Sequence, residues 1–347
     1  MAVITEKSSP CSLIDGQGKP ALGVYTSPFG NVNLRDFDYR KVAPFPLSLT
    51  SRSARCAIKR WQYMGFVSEE LVIGMAVVDI SYACNAFVYW YNRVSGELKD
   101  FSFLDLRRKH VLFSESSISG ITEYVSPAAS IRMDNSLKVG TRRAQVSIGD
   151  EFSLDLSVDE ADFMPLCVVT QNGLRGFNYC HKAAGLPVEG WARIGAEEFK
   201  LTAEGASGIL DWTAGCAARE TFWNWASGGG RLQSGARLGV NFVSGINDRG
   251  YTENGYWVDG RPEKVDTVLF DYEPDKILTR PWHITSNDGK VNLTFHPENE
   301  RAENFDYGAV ASRFHQPFGR FAGELEVGGR MEAVSFFGFV EEHEARW

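Results

Sequence analysis

This chain of 347 residues is short of the features that would commit it to a membrane, a nucleic acid or a metal. No run of about 18 apolar residues occurs, so no segment reads as a membrane-spanning helix. The opening residues, MAVITEKSSPCSLIDGQG, lack a basic stretch followed by an apolar run, so no secretory signal is read and a cytoplasmic location is expected. Positive charge is scarce, with 36 Lys and Arg against 44 Asp and Glu, a net charge of −8. The basic residues are dispersed, clustering only at Arg107-Arg108-Lys109 and Arg142-Arg143, which argues against a phosphate-binding stripe and so against a nucleic-acid partner. Cysteine is sparse too. Cys11, Cys56, Cys84, Cys167, Cys180 and Cys216 lie far apart without Cys-x-x-Cys spacing, which predicts reduced, mostly buried thiols rather than a disulfide framework. No His-x-His or His-x-x-x-His pair occurs, so no metal site is expected. A phosphate loop, a G-x-G-x-x-G turn and a G-x-S-x-G elbow are all missing, and no cofactor is expected.

What the chain does have is a hydrophobic period of two. Phe152, Leu154, Leu156 and Val158 alternate with polar residues, as do Val291, Leu293 and Phe295, the pattern of strands with one wet face. Two apolar runs, Leu71 to Ala83 and Ala86 to Tyr91, read as a buried hairpin turning at Cys84-Asn85. Helical patterns are few. Thirty-four glycines and turn pairs such as Asn172-Gly173, Asn254-Gly255 and Asp288-Gly289 punctuate the strands. The expected fold is all-β, with two tandem lipocalin-like antiparallel β-barrels. An extended arm is expected over residues 1–46, a first barrel over 47–215 and a second over 216–347.

One stretch concentrates chemistry at the expected junction. Gly208 to Gly230, GILDWTAGCAARETFWNWASGGG, holds three of the nine tryptophans beside Asp211, Arg219 and Glu220. If Arg219 to Ala226 is a strand, Arg219, Trp223 and Trp225 share one face, and Glu220 and Asn224 the other. Asp211, next to Trp212, is the expected partner of Arg219. A carboxyl group held against indole rings has its ionised form disfavoured and becomes a proton donor near neutral pH, a role open to Asp211 or Glu220. The other reading is that both carboxylates form salt bridges with Arg219 and Arg193 at a domain interface.

Three further segments hold candidates. In Arg280-Pro281-Trp282-His283-Ile284, His283 is a candidate base or ligand donor, and Trp282 a candidate cavity wall. In Gly173 to Gly190, Tyr179, His181 and Lys182 read as loop-proximal and exposed, the other reading being that Tyr179 and Lys182 anchor a polar group at a barrel mouth. In Arg301 to Tyr307, read as a polar connection or a capped short helix, Arg301 and Asp306 are candidates to reach a ligand.

The phrases LDWTAGCAARETFWNWASGGG, RPWHITSNDGKVNLTFHPENER, FGRFAGELEVGG and FVEEHEARW, with the opening SLIDGQGKPALG, resemble the bacterial family catalogued as domain of unknown function 2804. That family is similar, more distantly, to the tandem-lipocalin group containing carotenoid 1,2-hydratase, AttH-type proteins, kievitone hydratase and fungal Diels-Alderases. The resemblance implies two lipocalin-like barrels and a ligand cavity. It also implies a site at Asp211 and Trp223-Asn224-Trp225, which match the group's Asp and Trp-x-Trp phrase, although Trp212-Thr213-Ala214-Gly215 departs from it. It implies no single reaction, because members add water, close rings or have no known activity.

The expected function is a cofactor-independent acid–base enzyme of hydratase, cyclase or isomerase type, acting on a small hydrophobic terpenoid, polyketide or aromatic molecule. Asp211, Glu220 and His283 would be its catalytic groups; Trp212, Arg219, Trp223, Asn224, Trp225, Tyr179, Trp282 and Arg301 would bind substrate. Two alternatives remain open at this level: a carrier that shelters a lipid unchanged, and a carbohydrate-active enzyme with paired carboxylates.

Overall fold

The computed structural model describes residues 8–39, 55–136, 140–308 and 310–347, and the arm-to-barrel boundary expected at 46–47 lies outside them. They form two antiparallel sheets, of 14 and nine strands. No α-helix occurs among the described residues, whose helical content is short 3-10 turns such as Leu34–Asp36 and Pro274–Lys276.

Each sheet curls until its first and last strands are neighbours in sequence. The main path of the first sheet begins at strand Leu98–Asp105 and ends at Val111–Leu112, with five residues between them. Phe103 and Tyr124 stack across this seam, ring centroids 5.2 Å apart. In the second sheet the outermost strands are Arg261–Lys264 and Val268–Asp271, again separated by a short turn. Among the described residues the outermost strands of each sheet are not hydrogen-bonded to one another, so each seam is held by its short connection and by side-chain packing.

The two-residue period sets which side chains fill each barrel. In strand Phe152–Asp159 the residues Phe152, Leu154, Leu156 and Val158 are buried while Asp155 and Ser157 are not. The first core also holds Tyr179 and Trp212, and the second holds Trp282, Leu293, Phe295 and Phe321. A third apolar cluster lies between the barrels and includes Tyr63, Tyr89, Trp225, Trp257, Phe318 and Phe339. Outer faces that would be wet in a lone barrel are therefore dry here.

Three expectations need correction. The hairpin turns at 80–83, because Leu71–Asp79 pairs with Cys84–Asn92 and Cys84 is already opposite Asp79. Tyr179, His181 and Lys182 are buried in strand Gly176–Ile194, not exposed beside a loop. Arg301 to Asp306 continues strand Val291–Asp306 beyond a register shift at Pro297–Asn299, and is neither connection nor helix. In the arm, Gly23–Tyr25 adds a strand beside Leu166–Asn172, and Phe29 packs edge-on against Tyr179 with centroids 5.1 Å apart.

At Gly185 the barrels meet backbone to backbone. Gly185, at φ +81°, sits in a register shift between Ala184 and Leu186 and lies against Gly239 of the second sheet. A Cβ on Gly239 would fall 1.9 Å from the Ala184 carbonyl oxygen. A side chain there forces the barrels apart, so Gly239→Ala is expected to cost about 1–3 kcal/mol or more of stability. Thermal unfolding beside Gly16→Ala, where an added methyl meets nothing within 4 Å, checks it. Equal midpoints for the two variants would refute the close contact.

Candidate functional site

A cavity of about 490 Å³ lies between the barrels, and its walls come from both sheets. Strand Ala206–Gly215 is buried throughout, with Leu210, Trp212 and Ala214 in the first core. Alternation therefore turns Asp211 and Thr213 to the opposite side, toward the second barrel. Lys182 is the cross-strand neighbour of Asp211 on one side and Tyr63 on the other. From the second barrel, strand Glu220–Arg231 presents Trp223 and Trp225, with His343 and Glu341 of strand Arg330–Arg346 opposite them in register. Trp223 lies parallel between Trp61 and Trp347, each 6.4 Å away, so three indoles form a ladder along the wall.

Asp211 accepts three donors. Thr213 Oγ1 donates to its Oδ1 at 2.6 Å, Trp61 Nε1 donates to Oδ2 at 2.9 Å, and the Lys182 ammonium lies 2.8 Å from Oδ2. Glu253 is 3.6 Å from the same ammonium, which also sits 4.7 Å over the Trp225 ring. Burial opposes the charge on Lys182, but Asp211 and then Glu253 outweigh it and hold its pKa above the ordinary lysine value. Burial raises the Glu253 carboxyl against the pull of Lys182.

Glu341 is placed differently. Trp223 Nε1 donates to its Oε1 at 2.6 Å and Gln316 Nε2 to its Oε2 at 3.0 Å, yet no cation touches it. Burial dominates and pushes this carboxyl up to about 7. His343 has its ring centroid 4.2 Å from that of Trp223, and its Nε2 is 2.9 Å from Ser312 Oγ. Burial, then the Arg301 charge, push it down to about 3, so it is a neutral imidazole at pH 7, although 14% of its side chain stays accessible. Arg301 is buried against Phe87 and Phe314 and paired with Asp100 and Glu303, each at 3.0 Å.

Of the residues expected from the sequence, Asp211, Trp223, Trp225 and Arg301 line this cavity. The others do not. Glu220 has a side chain 76% exposed and pairs with Arg346, because it sits at the open end of its strand. His283 is exposed on the outside of the second barrel, 3.3 Å from Thr294 Oγ1, and Trp282 points the other way, into that barrel's core, stacked on Tyr272 at 3.7 Å. Trp212 and Tyr179 fill the first core. Arg219 is exposed and donates to the Trp347 carbonyl, so the expected pair with Asp211 gives way to Lys182; Arg193 pairs with Glu198. Asn224, on the face opposite Trp223, donates to Tyr272 and to the Glu341 carbonyl.

Sequence reasoning favoured an exposed Lys182 over one that holds a ligand, and missed Glu253, Glu341, His343 and Trp61 altogether. A signal existed for three of these. Lys182 directly precedes the apolar run Ala183-Ala184-Gly185-Leu186, and Glu341 and His343 put titratable groups at period two directly after the apolar run Phe336 to Val340. Glu253 comes from a connection, where no period marks it. Among the described residues no group of three or more His, Cys, Asp or Glu is disposed to hold a metal ion.

The fold and the inter-barrel cavity define a tandem-barrel protein of lipocalin type. The chain belongs to the family described as domain of unknown function (DUF2804), whose model matches residues 4–347. Among solved structures it is similar to CghA with Sch210972, at 10% identity and TM-score 0.54, covering 83% of this chain and 88% of that one. It is also similar to kievitone hydratase from Nectria haematococca, at 14% identity and TM-score 0.54, covering 82% and 88%. At these identities the likeness is one of fold. No curated protein matches the sequence.

The raised Glu341 carboxyl has a consequence for stability. Its pKa is about 7 folded and near 4.5 unfolded, so between these values the folded chain holds the proton more tightly, and stability falls as pH rises through that window. Glu341→Gln is therefore expected to stabilise the protein at pH 8 by a few kcal/mol relative to wild type and to leave it little changed at pH 4.5. Denaturant unfolding at the two pH values checks this, and a pH-independent difference would refute the raised carboxyl.

Proposed function

We propose that the protein is a cofactor-independent acid–base enzyme that moves a proton on a small hydrophobic substrate held between the barrels, in a hydration, cyclisation or isomerisation. The observation that carries this reading is Glu341, a carboxyl with both protonation states populated near pH 7, set among indoles in an apolar cavity. A group that gives and then recovers a proton within one turnover works best at such a value. In its protonated form Glu341 delivers the proton to a substrate double bond or ether oxygen. Positive charge then develops on carbon beside the Trp223 ring, whose π face, with those of Trp61 and Trp225, stabilises it. Water addition or ring closure quenches that charge, and the proton lost returns to Glu341.

Lys182, neutralised by Asp211, gives the cavity one polar pole and orients a substrate oxygen. Asp211 thus acts by fixing the ammonium rather than as the acid. Arg301, held by Asp100 and Glu303, braces Phe87 and Phe314. The fold shared with kievitone hydratase is consistent with this reaction class.

A panel of terpenoid, polyketide and phenolic substrates incubated in heavy-oxygen water tests the proposal, with product mass and chromatographic retention as the readouts. Glu341→Gln is expected to lower turnover about 10²–10⁴-fold with little change in KM, and wild-type turnover to fall above about pH 7 as the proton is lost. Asp211→Asn is expected to raise KM and lower the unfolding temperature. A ligand that binds and returns unlabelled and unrearranged throughout would instead make the protein a carrier, and conversion of an oligosaccharide would make it a carbohydrate-active enzyme. Full turnover in Glu341→Gln would remove Glu341 as the donor.

A further inference from the structure

The cavity opens where its lining is least buried. Leu104, Leu106 and Tyr307 line it and yet are 62%, 69% and 76% exposed, so they form a rim of large apolar side chains in contact with water. Such residues scattered singly on a surface need no explanation, but these three border one apolar opening.

The rim is built rather than loose. Beyond Leu104 the chain turns at 106–110, and the Asp105 carboxylate fixes the turn by accepting the Arg107 N–H at 3.0 Å and the His110 N–H at 2.8 Å. Arg108, at φ +54°, is tied back to Asp79 at 2.8 Å and to the Ser81 carbonyl at 3.0 Å. Leu106, Arg107 and Lys109 are left projecting outward. Neither Arg107 nor Lys109 pairs with a carboxylate among the described residues, on a chain whose net charge is −8. From the second barrel Tyr307 projects beside Phe305, their rings stacked at 5.3 Å.

We propose that this mouth docks on an anionic lipid bilayer and that apolar substrate passes directly between the membrane and the cavity. Exposed leucines and a tyrosine gain by entering the acyl boundary, and a tyrosine suits that interface because its ring is apolar and its hydroxyl wet. Arg107 and Lys109 stand beside them to meet lipid phosphates, each attracted to a negatively charged surface. The cavity supplies the reason, since a substrate that fills an apolar chamber is sparingly soluble in water and concentrated in bilayers. The inference rests on the reading of the cavity as an apolar-ligand site, but its test does not depend on turnover.

Flotation of the full chain with vesicles of phosphatidylcholine, with and without phosphatidylglycerol, provides the test. The protein is expected to float with the anionic vesicles. Leu104→Ser combined with Leu106→Ser is expected to lower the bound fraction at least about tenfold. Arg107→Gln and Lys109→Gln are expected to weaken it about fivefold each and to remove the preference for phosphatidylglycerol. All four positions are exposed, so unfolding temperatures should stay at the wild-type value, which keeps loss of binding distinct from loss of fold. Absence of flotation, or flotation unchanged by the paired leucine substitutions, would overturn the proposal. So would sedimentation showing that the same leucines hold two copies of the chain together. Turnover of detergent-dispersed substrate without vesicle binding would remove the docking face alone, whereas vesicle binding with no turnover of any substrate would remove the catalytic reading alone.

Discussion

A charged ammonium shut between two barrels is the constraint around which the middle of this molecule is arranged. Desolvating Lys182 costs several kcal/mol, and the cost is tolerable only because Asp211 is 2.8 Å away and Glu253 stands behind it. Asp211 in turn needs Trp61 and Thr213 to occupy its remaining lone pairs. These groups come from three strands of the first sheet and one connection of the second, so the pair is correct only when both barrels are in place. A buried ion pair left with one member is destabilising by roughly 3–5 kcal/mol, more than most single apolar contacts contribute. The polar pole and the docking of the barrels are thus one structural commitment.

Large aromatic side chains fill the barrel interiors. Trp212 and Tyr179 occupy the first interior and Trp282, Phe295 and Phe321 the second. Barrels of this general size elsewhere hold a ligand inside. Here the cavity of about 490 Å³ is walled by the outer faces of two sheets, so it lies at the contact between barrels rather than inside one. A site walled in this way draws its groups from strands far apart in sequence, Trp61, Lys182, Asp211, Trp223, Arg301 and Glu341 among them.

That separation explains what was legible beforehand. The strands and the all-β class follow from period two and turn pairs, which are local signals, and Phe152–Asp159 has the burial its alternation implies. Trp223 and Trp225 were readable as a shared face for the same reason. Asp211 was readable as a charge in an apolar strand, but its partner was not, because Lys182 is brought alongside by sheet register and Arg219 is merely near in sequence. Glu220 and His283 have the right chemistry beside tryptophans and the wrong side of their strands or an open strand end. Alternation says that two residues face opposite ways; it does not say which way is inward when both faces of a sheet are dry.

The outer wall of the first barrel carries a further consequence. Tyr63, Val72, Tyr89 and Ile209 form an apolar surface that only the second sheet covers. During synthesis the first sheet emerges well before strand Arg330–Arg346, so for the time needed to make more than a hundred residues this surface has no native partner. The interval is one in which the nascent chain would be a client for chaperones. The same apolar wall that the second barrel later covers is, on the ribosome, open to aggregation.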